Sequence, residues 1–526
     1  MSSSPSPHRP RRGKLVLCVI DAMAPAMLEQ AIAAGGAPVL ERLLAGGRYV
    51  PACVAAFPSV TPVCAASIVT GVRQDAHAIP GMNWFHREER RYVEYGSSFR
   101  ASQRFGLGRQ LTDLVYNMNG AHLSAATPTL FETLDDAAAR TAGTTYLMYR
   151  GRYRHEPQRD TTLTRIAAAF MRHAVMGPRE LFYADVFASR QTGCRSNLGM
   201  PGVRDRHSGC VSAYLVEHDL FDFLLLSLPD NDWYSHKRGV EGQVHSIGQA
   251  DLQLARVMNA AGGVEEFLAE HAVIVMADHS QVPVSASIAL QDELAELGVL
   301  APPRPAPRAG RSGEGASADD ARIAVCPSQR AAMVYALHDS ERDAMRASVV
   351  ARALSIAGVD LVMWLERDAH DAPREGVIAS PERGELRFAP GGPLLDVRAR
   401  PWSVEGELGV LAAAVEGERL LSGAYPDALA RVWAALTCPN CGDVLLSAAD
   451  GFEFIDWGRQ AHVGGGSHGS LHASDSLGAL VLHGVELGGH ASSPAGEPAQ
   501  WAIHDVASVV LRHFGLPPPG ACDNAR

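Results

Sequence analysis

Three short apolar runs, each ending in a carboxylate, set the pattern of this chain. Lys14 to Ile20 (KLVLCVI) stops at Asp21. Phe221 to Leu228 (FDFLLLSL) runs into Pro229-Asp230-Asn231-Asp232-Trp233-Tyr234-Ser235-His236, and Ala272 to Met276 leads to Ala277-Asp278-His279. A continuous apolar run of this length predicts a strand buried on both faces, as in a parallel sheet. Open α/β sheets place their sites at the carboxyl ends of such strands. For Asp21 alone, a cap of the next turn is an equal reading. Three such endings with two histidines attached predict a site.

The stretches between the runs predict helices and a few further strands. PVLERLLAG over 38–46 reads as a short helix closed by glycine. Phe57-Pro58-Ser59-Val60-Thr61-Pro62 precedes the small apolar run Val63 to Gly71. Pro62 suits the first helical position, because its missing N–H would have been unpaired there. Thr61 is then the N-cap, at a helix mouth that attracts phosphate and favours a developing alkoxide. An isolated Thr-Pro pair is usually only a cap; the company Thr61 keeps makes it a candidate nucleophile. Thr127-Pro128 is expected to open a helix to about Ala142, and Thr144 to Tyr149 a strand. The alternation argues for α/β architecture.

Segments 86–120 and 150–210 read as a long polar surface excursion and a more helical stretch that position alone makes a cover. The expected division is a loose tail over 1–13, a first core part over 14–300, a Pro/Gly/Ala/Ser linker over 301–321, an accessory strand–helix–strand region over 322–425, and a second core part over 426–520. The last part holds Asp443 to Leu446, Gly464-Gly-Gly-Ser-His468-Gly-Ser470, an apolar run Leu477 to Leu482 and a closing helix from about Ile503 to Phe514.

Composition narrows the function. With 47 Lys and Arg against 58 Asp and Glu, the formal charge of −11 disfavours non-specific nucleic-acid binding. An anionic substrate would need local neutralisation, which a bound metal supplies. The nine cysteines are odd in number and scattered, so no disulfide framework is expected. The first apolar run is too short for a signal-peptide core or a membrane span. The expected location is the cytoplasm.

The candidate chemistry follows from ligand types. Zinc takes imidazole and carboxylate, and catalytic sites keep an open position. Asp232 and His236 are four apart and share one face if the chain turns helical there. Asp278 and His279 are adjacent, and His468 lies in a glycine run that lets backbone approach a ligand. With Asp21 and Thr61 this is enough for two metals. A threonine hydroxyl is a weak nucleophile at its free pKa, so metal coordination is what would activate it.

Six motifs together resemble the alkaline phosphatase superfamily, nearest its type I phosphodiesterase/nucleotide pyrophosphatase branch: VIDAM at Asp21, FPSVTP at Thr61, HAIPGMNW at Asn83, LPDNDWYSHKRG, ADHS and GGGSHGS. The resemblance implies an α/β sandwich with a central, mostly parallel sheet between helices, plus a smaller accessory α/β region. It implies one divalent metal on Asp232, His236 and His468 and a second on Asp21, Thr61, Asp278 and His279, with zinc or manganese as the ion. Asn83, six after His77, would hydrogen-bond a phosphoryl oxygen. Catalysis would be two in-line displacements through a phosphothreonine on a small phosphorylated substrate. Ser235 stands where the family often has glycine, and Asp232 is preferred to Asp230 by its spacing to His236. A phosphonate or sulfate ester hydrolase is the alternative on the same site, the sulfatase branch being disfavoured by Thr61. A non-catalytic binder of a phosphorylated ligand predicts a missing ligand, and none is missing. Trp84 and Phe85 could stack on substrate, although an aromatic pair there is more often core. The CPNC at Cys438 to Cys441 reads as structural, and His462 and His472 as supports of the glycine loop.

Overall fold

The computed structural model describes residues 13–302, 321–368, 370–487 and 500–519. Apart from their end residues, the tail expected over 1–13 and the linker expected over 301–321 lie outside the described residues.

The apolar runs form the centre of an eight-stranded sheet. Its order is Arg48–Val54, Leu477–His483, His271–Met276, Lys14–Ile20, Phe223–Leu228, Thr141–Thr144, Glu180–Tyr183, Phe187–Ala188. The five strands from His271–Met276 to Glu180–Tyr183 are mutually parallel. Alternate residues enter different cores, as a doubly covered sheet requires. Leu15, Leu17 and Val19 face one core; Val16, Cys18 and Ile20 face the other, against the helices Pro25–Ala33 and Gln243–Asn259.

The first of these cores continues without a break onto a second, mostly antiparallel sheet of nine strands. Helices Thr61–Thr70, Ala428–Leu436 and Asp505–His513 contribute to the shared core, which also takes Met333, Tyr335, Met363 and Leu445 from the second sheet. Burying side chains of this size is worth roughly 1.5–3 kcal/mol each before entropy is counted. The outer face of the second sheet is covered by helix Arg342–Ala353.

Several local expectations change. Val444–Ala448, read with the main sheet, lies inside the second one, antiparallel to both Ala331–Ala336 and Val359–Arg367. The helix after Thr127-Pro128 is only Leu130–Asp136. Thr129 and Glu132 form a capping box that fixes its start, and Ala138 at φ 62° ends it, freeing Thr141–Thr144 to join the sheet. The segment 86–120 is not a surface excursion. It forms a hairpin, Asn83–His86 with Arg91–Glu94, two short helices and a π-helix Thr112–His122. Tyr92, Val93, Phe105 and Met118 are buried, and the polar look of the sequence comes from pairs such as Arg91 with Asp113, held by bonds of 2.7 and 2.9 Å. Among the described residues no helix is long and apolar enough to cross a membrane.

One covalent link went unread in the sequence: Cys194 and Cys210 are disulfide-bonded. Cys18, Cys53, Cys64, Cys326, Cys438 and Cys441 are free and buried, so the CPNC pair is packed in the core.

Candidate active site

Asp21, the segment Pro229–Asp232 and Asp278 all sit just past the carboxyl ends of adjacent parallel strands. The strand geometry delivers them to one edge of the sheet. Ala22 turns left-handed at φ 59°, and its N–H donates to Asp278 Oδ1 at 3.1 Å, tying two of the strand ends together. Helix Asp230–Arg238 starts where strand Phe223–Leu228 stops and places Asp232 and His236 on one face, with 3.3 Å between Asp232 Oδ1 and His236 Nε2.

His468 arrives from much later in the chain. A three-stranded sheet, Gly451–Phe454, Val282–Ile288 and Gly466–Ser467, carries its loop in. The glycines before it are needed for close approach: a Cβ on Gly465 would collide with the His236 carbonyl oxygen, and one on Gly466 with the Gln281 side chain. The loop is knitted to the Thr61 loop through Ser59, whose hydroxyl accepts from Gly469 N–H at 3.1 Å and donates to the Ser470 carbonyl at 3.0 Å.

Three imidazoles are oriented in the same way. Nδ1 of His236 lies 2.7 Å from the Gly466 carbonyl, Nδ1 of His468 lies 2.7 Å from the Ser59 carbonyl, and Nδ1 of His279 lies 3.1 Å from the Ser280 carbonyl. A carbonyl oxygen can only accept, so each Nδ1 carries a hydrogen, and in the neutral ring Nε2 is left to offer a lone pair. Those Nε2 atoms face carboxylates. His468 Nε2 is 3.4 Å from Asp232 Oδ1; His279 Nε2 is 3.7 Å from Asp21 Oδ1 and 3.5 Å from Asp278 Oδ2. The His279 and His468 rings stack with centroids 3.7 Å apart.

Two ligand sets result, with donor atoms within 4.8 Å of one another: Asp232, His279 and His468, and Asp21, Asp278 and His279. His279 borders both, whereas the resemblance assigned it to one. His236 reaches the first set through Asp232, and its Nε2 also lies 3.5 Å from Gln329 Nε2.

The charges at the cluster are crowded. Burial, then the carboxylates of Asp278 and Asp232, push Asp21 well above the usual carboxylate range. Burial, then its histidine neighbours, hold His468 well below the usual imidazole value, so it is neutral. Burial works against ionisation of both Asp232 and His236, but their pairing outweighs it and holds the carboxylate below and the imidazole above its usual value. Asp21 Oδ1 and His468 Nε2 are buried without a hydrogen-bond partner. Crowded carboxylates and orphaned lone pairs suit a divalent cation.

Thr61 is placed one residue differently from expectation. Val60 is the extended N-cap, Thr61 the first helical residue and Pro62 the second. The hydroxyl still lies at the helix mouth, with Oγ1 3.3 Å from His279 Nε2. Asp230 is turned from the cluster. It accepts from Gly202 N–H, Arg204 Nε and Asp205 N–H at 2.8, 2.9 and 3.1 Å, holding the start of helix Arg204–Glu217.

Asn83 and Trp84 are not brought to the site. Thr61, Asp21, Asp232 and Asp278 open on a cavity whose wall includes Met82 but neither of its two successors. Asn83 is fully buried and donates from Nδ2 to the Pro327 carbonyl at 2.6 Å, towards the second sheet. Trp84 packs against His86 and His122. Successive residues of an extended chain point to opposite faces, so only one of the pair Met82 and Asn83 can reach the cavity.

Among the supporting residues, Gln281, Glu453, Tyr146 and Arg204 carry no sequence signal. Gln281 donates to both the carboxylate and the carbonyl of Asp232, and His462 stacks on His236 at 4.0 Å while its Nδ1 bonds Glu453 at 2.8 Å. Ser235 is buried and accepts from Gln243 at 3.2 Å. Tyr146 and Arg204 line the cavity next to the cluster.

The chain matches the family described as type I phosphodiesterase / nucleotide pyrophosphatase over residues 15–360. His468 lies beyond that match. No curated protein sequence matches it. Among solved structures, phosphonoacetate hydrolase from Sinorhizobium meliloti 1021, in complex with phosphonoformate, superposes with a TM-score of 0.52 at 17% identity, covering 96% of this chain and 95% of that one. Murine ectonucleotide pyrophosphatase / phosphodiesterase 5 superposes with a TM-score of 0.53 at 10% identity, covering 97% and 98%. At these identities the likeness is one of fold. The match over 15–360 shows the family, and the chain belongs to the type I phosphodiesterase / nucleotide pyrophosphatase family, hydrolases of phosphoric esters.

Proposed function

We propose that this chain hydrolyses phosphoric diesters, with Thr61 as the nucleophile and two divalent cations held by Asp21, Asp232, His236, Asp278, His279 and His468. The observation that carries this reading is the common orientation of the three imidazoles. Each is pinned through Nδ1–H to a backbone carbonyl, and their Nε2 atoms turn towards carboxylates beside the Thr61 hydroxyl. Such outer-shell bonds orient metal-binding histidines. The mixed imidazole and carboxylate donors favour zinc, with manganese as the second choice.

Bound cations would supply Lewis acidity and neutralise the charge of the phosphoryl group. The chain's own residues do the rest. Thr61 gives up its hydroxyl hydrogen to water as Oγ bonds to phosphorus and the bond to the leaving group breaks on the opposite side, the departing alkoxide taking a proton from water. The helix beginning at Thr61 directs the positive end of its dipole at the developing charge. Water then cleaves the phosphothreonine, and Thr61 regains its hydrogen. His279, which borders both ligand sets, keeps the hydroxyl within 3.3 Å of its ring. The Cys194–Cys210 bond supports an oxidising compartment rather than the cytoplasm expected from the sequence.

The test is metal dependence with a mutational arm. Dialysis against a chelator is expected to abolish diester turnover, and zinc or manganese to restore it. His279→Ala is expected to lose metal from both sets. Full turnover by protein shown by elemental analysis to hold no divalent cation would overturn the reading.

A further inference from the structure

The cavity that opens from Thr61 is divided by chemistry. Its inner end holds Asp21, Asp232, Asp278, Tyr146 and Arg204. Its outer wall comes from the start of the π-helix, the loop after Thr141–Thr144 and the segment 171–199, and is formed largely by Leu114, Val115, Leu147, Met171, Val186 and Leu198. The volume is about 360 Å³, enough for a small organic group beside a phosphoryl centre.

No carboxamide side chain and no carboxylate lies on that outer wall among the described residues. A nucleobase carries several ring and exocyclic donors and acceptors along its edge. Placed against leucine, valine and methionine, with the Tyr183 hydroxyl at their margin, most of them would lose water and gain no partner. An alkyl or aryl group has nothing to lose there. At the inner end, the Tyr146 hydroxyl is buried without a protein partner. Arg204 already uses Nε on Asp230 and Nη2 on the Pro229 carbonyl. Of the other hydroxyl-bearing side chains on the wall, Tyr95 is bonded to His122 and Thr145 accepts from Ser208, while Tyr183, in the segment 171–199, offers a single hydroxyl against the several donors and acceptors of a base edge.

We propose that this cavity takes an apolar alkyl or aryl substituent of the phosphoryl group, so that the substrate is a phosphoric ester of a hydrophobic alcohol and not a nucleotide. This rests on the diester-hydrolase reading, which places the phosphoryl group over Thr61. Leu114, Leu147 and Leu198 then select by chain length, and the Tyr146 hydroxyl donates to an oxygen of the phosphoryl group.

Two measurements on the full chain loaded with zinc separate the two readings. The first is calorimetric binding of methyl-, butyl- and hexylphosphonate, which needs no turnover. Burying a methylene is worth about fourfold in affinity, so hexylphosphonate is expected to bind roughly 100-fold tighter than methylphosphonate if most of its chain enters. Leu147→Gln should shrink that ratio. The second is kcat/KM for the p-nitrophenyl esters of methyl phosphate, hexyl phosphate and thymidine 5′-phosphate, which share one leaving group. The hexyl ester is expected to be the best of the three. A flat binding series, or thymidine preferred over hexyl, would overturn the apolar pocket even if every ester were hydrolysed. A steep binding series with no ester hydrolysed would support the pocket and overturn the hydrolase reading.

Discussion

The two ends of the cavity are built on opposite principles. At the inner end, key side chains are held by backbone groups from loops distant in the chain. Ser59 binds the His468 loop, Gly466 fixes His236, and Ala22 fixes Asp278. At the outer end the wall is apolar packing, and its loop is held by a few local ties. Asp185 accepts from Ser196 and Leu198 N–H groups at 2.8 and 3.0 Å, and Cys194 is bonded to Cys210. The contrast separates two requirements. Chemistry needs donor atoms fixed to within fractions of an ångström, and backbone bonds supply that. Accommodating an apolar group needs only shape and dryness, which interchangeable aliphatic side chains provide.

The comparison is tested first where the inner end has least tolerance. Gly465→Ala puts a methyl group into the His236 carbonyl, so the imidazole that depends on Gly466 should shift. Disturbing such an orienting shell costs about 10–100-fold in metal affinity or activity. We expect a loss in that range, read by metal titration and kcat, with the melting temperature little changed. Wild-type metal affinity in Gly465→Ala would show that the inner end is not rigid in this sense.

A smaller effect is expected at the outer end. Cys194→Ser removes a link that closes a loop with a sequence separation of 16, and a loop of about that length is worth ~3 kcal/mol in the chain-entropy account. Leu198 and Gly199 lie within that loop and on the cavity wall. The variant should therefore melt earlier and raise KM for a hexyl ester while leaving kcat within a few-fold. A large fall in kcat at unchanged KM would mean that the loop serves the reacting atoms directly.

The same division explains what could be read from the amino acids. Carboxylates after apolar runs and a histidine among glycines are unusual residue types in unusual places, so Asp21, Asp232, Asp278, His279 and His468 stood out. The carbonyls of Ser59, Ser280 and Gly466 did not, because every residue has one. Asn83 was assigned to the substrate, but in an extended segment one residue of offset reverses the facing, and Met82 reaches the cavity in its place. Leu114, Val115 and Leu147 look like any core residues until the chain folds around a space. Val444–Ala448 was assigned to the wrong sheet for a related reason, since pairing with strands more than 80 residues away leaves no local mark.

The central claim is that Thr61 forms a covalent bond to phosphorus over the histidine and carboxylate cluster. Acid quenching during turnover of a diester by the metal-loaded enzyme, followed by peptide mass spectrometry, tests it most directly. The account predicts an alkylphosphoryl group on the peptide containing Thr61, absent from Thr61→Ala, which should bind metal and fold but turn over orders of magnitude more slowly. An unmodified Thr61 peptide, together with near-wild-type turnover by Thr61→Ala at full metal content, would contradict it.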